Sequence, residues 1–167
     1  PLATPVALKL ALLPRAPRFA REVELLSGVR HPGIPRLWDH GEWQHPGGAR
    51  FPFLVMDWID GAPLYDWGRQ RNPSSQEVMR LLAQLARALQ ALHVQGCVHR
   101  DVKGDNVLVR DSDSRAVLTD LGSGRYPDAA TLTPDTLPPG TPAYRSPEAW
   151  LFSLQFMRDR TARYAAQ

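Results

Sequence analysis

Residues 97 to 109 read Cys97-Val98-His99-Arg100-Asp101-Val102-Lys103-Gly104-Asp105-Asn106-Val107-Leu108-Val109. Lys103 stands two residues after Asp101 and Asn106 three further on, and the β-branched run that follows carries the chain back into a strand. A carboxylate, an ammonium and a carboxamide on one tight loop form a set suited to moving a phosphoryl group. Asp101 can orient an attacking hydroxyl and accept its proton, and Lys103 can neutralise charge on the transferred phosphate. Asn106 can hold a metal ion through its side-chain oxygen.

The flanks of this loop carry patterns of their own. Residues 74 to 95 predict a helix that opens on a capping box, Ser74 with Glu77, after Pro73. Val78, Leu81, Leu82, Leu85, Leu89 and Leu92 predict one continuous apolar stripe, and Gly96 supplies the left-handed residue that ends such helices. This helix reads as core that supports the loop. Beyond the loop, Val107-Leu108-Val109 and Ala116-Val117-Leu118-Thr119 predict a hairpin around residues 110 to 115, which delivers Asp120-Leu121-Gly122. An Asp at a strand end followed by Gly suits metal binding, because the glycine lets the chain turn while the carboxylate points into the site. Residues 123 to 147 show no period and carry Pro127, Pro134, Pro138 and Pro139. A structureless stretch of that length is functional or disordered. It runs into Gly140-Thr141-Pro142-Ala143-Tyr144-Arg145-Ser146-Pro147-Glu148.

Towards the start of the chain, residues 5 to 13 read as a buried strand with Lys9 in its middle, either snorkelling at an edge or aimed into a site. Phe19, Val23, Leu26 and Val29 predict one face of a helix over residues 18 to 30, with Glu22 and Glu24 on other faces and by default solvated. His31-Pro32-Gly33 breaks it. Leu37-Trp38 and Phe51-Pro52-Phe53-Leu54-Val55-Met56 predict two strands joined by a loop over residues 40 to 50. Met56-Asp57-Trp58-Ile59-Asp60-Gly61 reads as a strand end running into a turn.

Together these motifs resemble the eukaryotic-type protein kinase domain, in its serine/threonine branch on account of Lys103. Val6-Ala7-Leu8-Lys9 is similar to the family's Val-Ala-Ile-Lys strand. Asp120-Leu121-Gly122 is similar to its Asp-Phe-Gly with Leu for Phe. Residues 140 to 148 are similar to the end of its activation segment, with Ser146 where Ala is commoner. The resemblance implies an α+β, protein-kinase-like two-lobed fold. Residues 1–59 would form a partial N-lobe (lysine strand, glutamate helix, hairpin to the hinge). Residues 60–167 would form a partial C-lobe (long helix, catalytic loop, metal motif, activation segment).

It further implies ATP and Mg2+ as cofactors and the transfer of a γ-phosphoryl group to Ser or Thr hydroxyls of proteins. Asp101 would be base and orienter, and Lys103 the electrostatic stabiliser. Lys9, held by Glu22, would grip the α- and β-phosphates, and Asn106 with Asp120 would hold magnesium. Glu22 is chosen over Glu24 by its register to His31-Pro32. Ala7, Leu108 and Met56 would line the adenine, whose edge would meet the carbonyl of Asp57 and the N–H of Ile59. Leu26, Leu37, His99 and Leu121 match one of the family's internal packing columns, Ala7 and Leu108 the other, so His99 reads as a packed imidazole. Thr131, Thr133 and Thr136 are candidate self-phosphorylation sites with Arg100 as the phosphate's partner; an unmodified flexible loop is the alternative.

Two departures accompany the likeness. Only eight residues precede Lys9, so the Gly-rich hairpin over the ATP phosphates is expected to be missing. The chain also stops soon after Glu148, before the later C-lobe helices. The fold is therefore expected to be incomplete, to expose apolar surface under the catalytic loop, and to bind nucleotide weakly or not at all by itself.

The 167 residues suit one domain of ordinary size, and 43% hydrophobic with 22% charged residues is the balance of a globular chain. A net charge of +3 argues neither for nor against nucleic acid, and none is expected as a partner. One cysteine, Cys97, excludes an internal disulfide framework and suits a reducing cytosol. No apolar run reaches the length of a membrane span and no signal peptide is evident, so a cytoplasmic location is expected, with an anchor possible in a longer parent. A basic, Pro- and Ala-rich composition hints at a high-GC bacterial source. Three other readings compete: a catalytically inactive kinase-like binding module, a small-molecule phosphotransferase of the related fold, and a zinc site at His93, Cys97 and His99, which supplies too few thiolates.

Overall fold

The computed structural model describes residues 4–127, 138 and 140–156. Two three-stranded antiparallel sheets organise it, the first packed against one helix and the second against two. β1 (Val6–Leu10), β3 (Arg50–Asp57) and β2 (Leu37–Gln44) form the first, in that spatial order, with α1 (Pro17–Gly28) inserted between β1 and β2. β4 (Gly61–Pro63), β5 (Val107–Arg110) and β6 (Ala116–Leu118) form the second. Before β5 come α2 (Leu64–Arg71) and α3 (Ser75–Val94), and α4 (Pro147–Phe156) closes the described chain. The architecture is α+β, as expected.

The long helix matches its sequence signals closely. Ser74 caps α3 by accepting from the Glu77 N–H, and Glu77 reaches back to the Ser74 N–H at 2.8 Å. Gly96 takes φ +70 just past its end. The predicted stripe is only partly buried, however. Leu81, Ala88 and Leu92 are inside, whereas Val78 and Leu82 are exposed. The helix packs against β6, and Leu85 and Leu89 lie half-buried against the same core, so only the Val78 and Leu82 part of the stripe is open.

The first strand departs further. Residues 5 to 13 were expected to be buried, yet Val6, Leu8 and Leu10 are exposed, Leu8 to 68%. β1 pairs with β3 along one edge only, in the register Lys9↔Leu54, so alternate side chains point away from the sheet's covered face. Lys9 is on the inner face for the same reason. The helix stops at Gly28, and Val29 is already extended at φ −116°, although its side chain is buried. Leu25, absent from the predicted face, is buried beside Leu26. β2 runs to Gln44, through residues expected to be loop, with a bulge between Leu37 and Asp39.

One apolar core joins the halves. Leu25, Leu26, Val29 and Ile34 pack with Leu81, Ala88 and Leu92 of α3 and with Val107, Val109, Leu118 and Leu121. The Leu118 N–H bonds the Gly33 carbonyl at 2.8 Å, tying β6 to the turn after α1. β4 and α2 carry no legible period. β4 exists because Gly61 lets two backbones close up: a Cβ there would stand 2.2 Å from the Val109 carbonyl oxygen.

Candidate active site

The segment between α3 and β5 is held by its own histidine. His99, 2% exposed, accepts the Asp101 N–H on Nδ1 at 3.3 Å, which leaves the ring proton on Nε2, 3.0 Å from the Thr119 carbonyl. Burial lowers its pKa, against opposing contributions from that carbonyl, Asp120 and Asp101, so the ring is neutral and structural. The imidazole thus pins the loop carrying Asp101 to the residue before Asp120. The Thr119 N–H closes the link from the other side, on the Asn106 carbonyl at 2.8 Å.

Asp101, Lys103 and Asn106 come together as expected. Asn106 Nδ2 donates to the Asp101 carbonyl at 2.8 Å and to its Oδ2 at 3.3 Å, and Lys103 Nζ lies 3.6 Å from Oδ2. With Nδ2 engaged, the Asn106 side-chain oxygen is the atom left to face a cation.

Thr141 completes this group, and sequence reasoning had assigned it no role. Its N–H and Oγ1 both donate to Asp101 Oδ1, at 2.8 and 2.7 Å, while Oγ1 accepts from Lys103 Nζ at 2.9 Å. Gly140 allows the approach: it sits at φ +88°, and a Cβ would meet the Arg100 carbonyl oxygen at 2.4 Å. Burial would raise the Asp101 pKa. The Thr141 hydroxyl and N–H, then Lys103 and Asn106, outweigh it and hold the carboxyl below its ordinary value.

A second cluster forms across the sheets. Lys9 Nζ lies 2.6 Å from Glu22 Oε2 and 3.3 Å from Asp120 Oδ1. The Glu22 side chain is 3% exposed and that of Lys9 40%. Glu22 was placed on a solvated face by default. It is instead buried, because α1 packs against the turn Leu121–Ser123, where Leu121 is also buried. Burial pushes the Glu22 pKa up more than Lys9 pulls it down. Burial would lower Lys9, but Glu22 and then Asp120 outweigh it and raise it. The attraction therefore secures the lysine's charge without fully offsetting the desolvation of the glutamate. Glu24 is exposed and accepts the Tyr126 hydroxyl. A cleft of about 340 Å3 opens beside this cluster, with Lys9, Glu22, Asp120, Gly122 and Arg18 in its walls.

Of the remaining expected residues, Ala7 and Met56 are register partners on β1 and β3, and Leu108 lies in β5 opposite Val117. The Asp57 carboxylate is engaged by the Arg36 N–H at 2.9 Å and Trp38 Nε1 at 2.8 Å, so its side chain is structural and its carbonyl is the group to consider. Ile59 is buried. Thr131, Thr133 and Thr136 lie outside the described residues.

Arg100, at φ +64°, donates from Nε to the Ser123 carbonyl at 2.9 Å. Burial lowers its pKa, and Arg21, Arg125 and Arg18 lower it further, so four guanidinium groups share one locality. The zinc reading fails: His99 uses both ring nitrogens, Cys97 Sγ donates to the Gln95 carbonyl at 3.4 Å, and no metal-ligating cluster of His, Cys, Asp or Glu occurs among the described residues.

A lysine–glutamate pair on strand and helix, a carboxylate–lysine–asparagine loop and an Asp-x-Gly turn, set between two α+β halves, make up the residue set of a protein-kinase domain. The chain belongs to the protein kinase domain family, whose pattern matches residues 6–160. Its relatives include the serine/threonine-protein kinase PknA of Mycobacterium tuberculosis, 37% identical over 132 residues, which cover 78% of this chain and 30% of that protein. PkaA of Streptomyces coelicolor, also named a serine/threonine-protein kinase, is 40% identical over 138 residues, 79% of this chain and 24% of that protein. Pkn2 of Myxococcus xanthus, named likewise, is 39% identical over 80% of this chain and 16% of its own length. The chain thus spans less than a third of the length of these curated relatives.

Proposed function

We propose that the site transfers the γ-phosphoryl group of ATP to a Ser or Thr hydroxyl of a protein. The observation that carries this is the clamping of Asp101 between Thr141, Lys103 and Asn106. Thr141 occupies Oδ1, so Oδ2 is the oxygen positioned to accept the hydroxyl proton as the oxygen–phosphorus bond forms and ADP leaves with the bridging oxygen. Lys103 supplies positive charge beside the same carboxylate, where charge on the transferred group develops. Lys9, held by Glu22 and bordering the cleft, binds the α- and β-phosphates, and Ala7, Met56 and Leu108, with the Asp57 carbonyl and the Ile59 N–H, receive the adenine.

A magnesium ion fits the donors present. Asn106 and Asp120 offer hard oxygen ligands, and Mg2+ takes one or two such protein groups with phosphate oxygens for the rest. When bound, it neutralises phosphate charge. The cluster of Arg100, Arg21, Arg125 and Arg18 suits a phosphorylated threonine, with Thr131, Thr133 and Thr136 as self-phosphorylation candidates. The N- and C-lobe division at residues 59 and 60 belongs to this reading. So does a cytoplasmic setting, where ATP is available; no helix among the described residues is long and apolar enough to cross a membrane.

The test is phosphate incorporation from Mg-ATP, read by mass spectrometry on this chain, on a longer polypeptide containing it, and on a Ser/Thr peptide. Asp101→Asn is expected to lower the rate by about 10²–10⁴. Turnover close to normal in that variant would remove Asp101 from the chemistry.

A further inference from the structure

On the face made by residues 29–33, α3 and the start of β6, two clefts lie side by side, with His31 and Arg87 common to both. The first, of about 180 Å3, also has Gln84 and Arg115 in its walls. The second, of about 440 Å3, adds Arg30, Ala91 and Val94. Neither has an Asp or Glu among its described lining residues.

The polar groups here have unused donors. Arg30 and Arg87 are exposed and form no ion pair with a described residue. Arg115 Nε is 3.2 Å from Asp113 Oδ2, but Arg110 shares that carboxylate at 3.6 Å, so two guanidinium groups face one negative charge. Gln84 Oε1 accepts the Ala116 N–H at 2.8 Å, which leaves its amide nitrogen as a donor. His31 Nδ1 accepts the Gly33 N–H at 3.0 Å, so its neutral ring carries the proton on Nε2. Burial, and then Arg115, lower the His31 pKa, which keeps the ring neutral near pH 7. Along the second cleft the wall turns apolar, with Val94 76% exposed.

We propose that this joined groove binds an acidic peptide segment of a partner protein. Its carboxylates would sit on Arg87, Arg30 and Arg115, and an apolar side chain would lie against Ala91 and Val94. Charge complementarity selects the occupant: three guanidinium groups and two neutral donors, with no lining carboxylate, match two or three acidic side chains. A nucleic acid fits less well, because the described walls offer no Phe, Tyr or Trp for base stacking and the basic stretch is short. A lone anion leaves the apolar half unused. The groove contains none of the residues assigned to phosphoryl transfer, so it stands or falls apart from that function.

The experiment is fluorescence anisotropy on the full 167-residue chain with a labelled eight-residue peptide of Glu and Leu. Its Gln-for-Glu counterpart, a single-stranded oligonucleotide of eight nucleotides and inorganic phosphate serve as comparisons. The acidic peptide is expected to bind, the Gln peptide at least about tenfold more weakly. Arg87→Gln is expected to weaken the acidic peptide about tenfold at an unchanged thermal midpoint, as for loss of one charge-assisted contact. Arg30→Gln, at an exposed position outside any helix or strand, provides a second variant should Arg87→Gln disturb α3. Equal affinity for the Gln peptide, or indifference to both substitutions, would overturn the proposal. So would displacement by phosphate at equal concentration, or tighter binding of the oligonucleotide.

Discussion

Replacing Thr141 by Val keeps the volume of the side chain and the backbone N–H but deletes the atom that joins Asp101 to Lys103. That oxygen lies 2.7 Å from Asp101 Oδ1 and 2.9 Å from Lys103 Nζ. The two charged side chains are only 12% and 21% exposed, so solvent screening does not reduce these contacts to surface values. A hydrogen bond to a charged group contributes about 1.5–3 kcal/mol. One atom serves both partners, and each keeps others: Asp101 retains the Thr141 N–H at 2.8 Å, and Lys103 retains its 3.6 Å approach to Asp101. The loss is therefore that of one strong bond, roughly 10- to 150-fold in rate if it is felt fully in the transition state.

The pH behaviour has a definite sign. The Thr141 hydroxyl is the largest of the contributions that lower the Asp101 pKa against the opposing effect of burial. A carboxyl lowered on folding contributes stability that is present above its unfolded pKa and is lost as pH falls through its folded one. In Thr141→Val the folded pKa rises, so that contribution shrinks; its loss on acidification still begins at the unfolded pKa but is complete at a higher pH. Single-turnover phosphoryl transfer to a Ser peptide measures the first effect, and carbon-detected NMR titration of the Asp101 carboxyl the second. Thr141→Ser, which restores the hydroxyl, should recover both. A Thr141→Val protein with a rate within twofold of the parent and an unchanged Asp101 titration would refute the coupling.

Glu22→Gln tests the other cluster. Because burial raises the Glu22 pKa despite Lys9, and Lys9 keeps Asp120, unfolding free energy near neutral pH should change by no more than about 1 kcal/mol. A drop of about 3 kcal/mol or more in denaturant titrations, the usual result of stranding a buried charge, would contradict this. A carboxyl raised on folding makes stability decline as pH climbs from its ordinary value of 4.5 through the folded one, so that slope should vanish in Glu22→Gln. Leu121→Ala, at a side chain 1% exposed between Leu26 and α3's core residues, should lower stability by about 2–5 kcal/mol. A loss under about 1 kcal/mol by chemical denaturation would mean that the turn after Asp120 is not anchored by that leucine.

What could be read in the amino-acid order was whatever depends on near neighbours. The capping box at Ser74 and Glu77, the stop at Gly96 and the strands around residues 107 and 117 are set within a few residues, and all are found close to where the sequence placed them. The order and spacing of Lys9, Glu22, Asp101, Lys103, Asn106 and Asp120 were legible for another reason: they resemble the motifs of the protein kinase domain, the family whose pattern matches residues 6–160. Tertiary structure decided what depends on residues far apart. Thr141 is 40 positions from Asp101, and no local pattern shows that a hydroxyl there will hydrogen-bond that carboxylate. Glu22 looked solvated by helical period and became buried because the turn after Asp120 packs on α1. The exposure of Val6, Leu8 and Leu10 likewise follows from the pairing of β1 along a single edge. Apolar character states that a side chain is better removed from water, but only the packing partner determines whether it is.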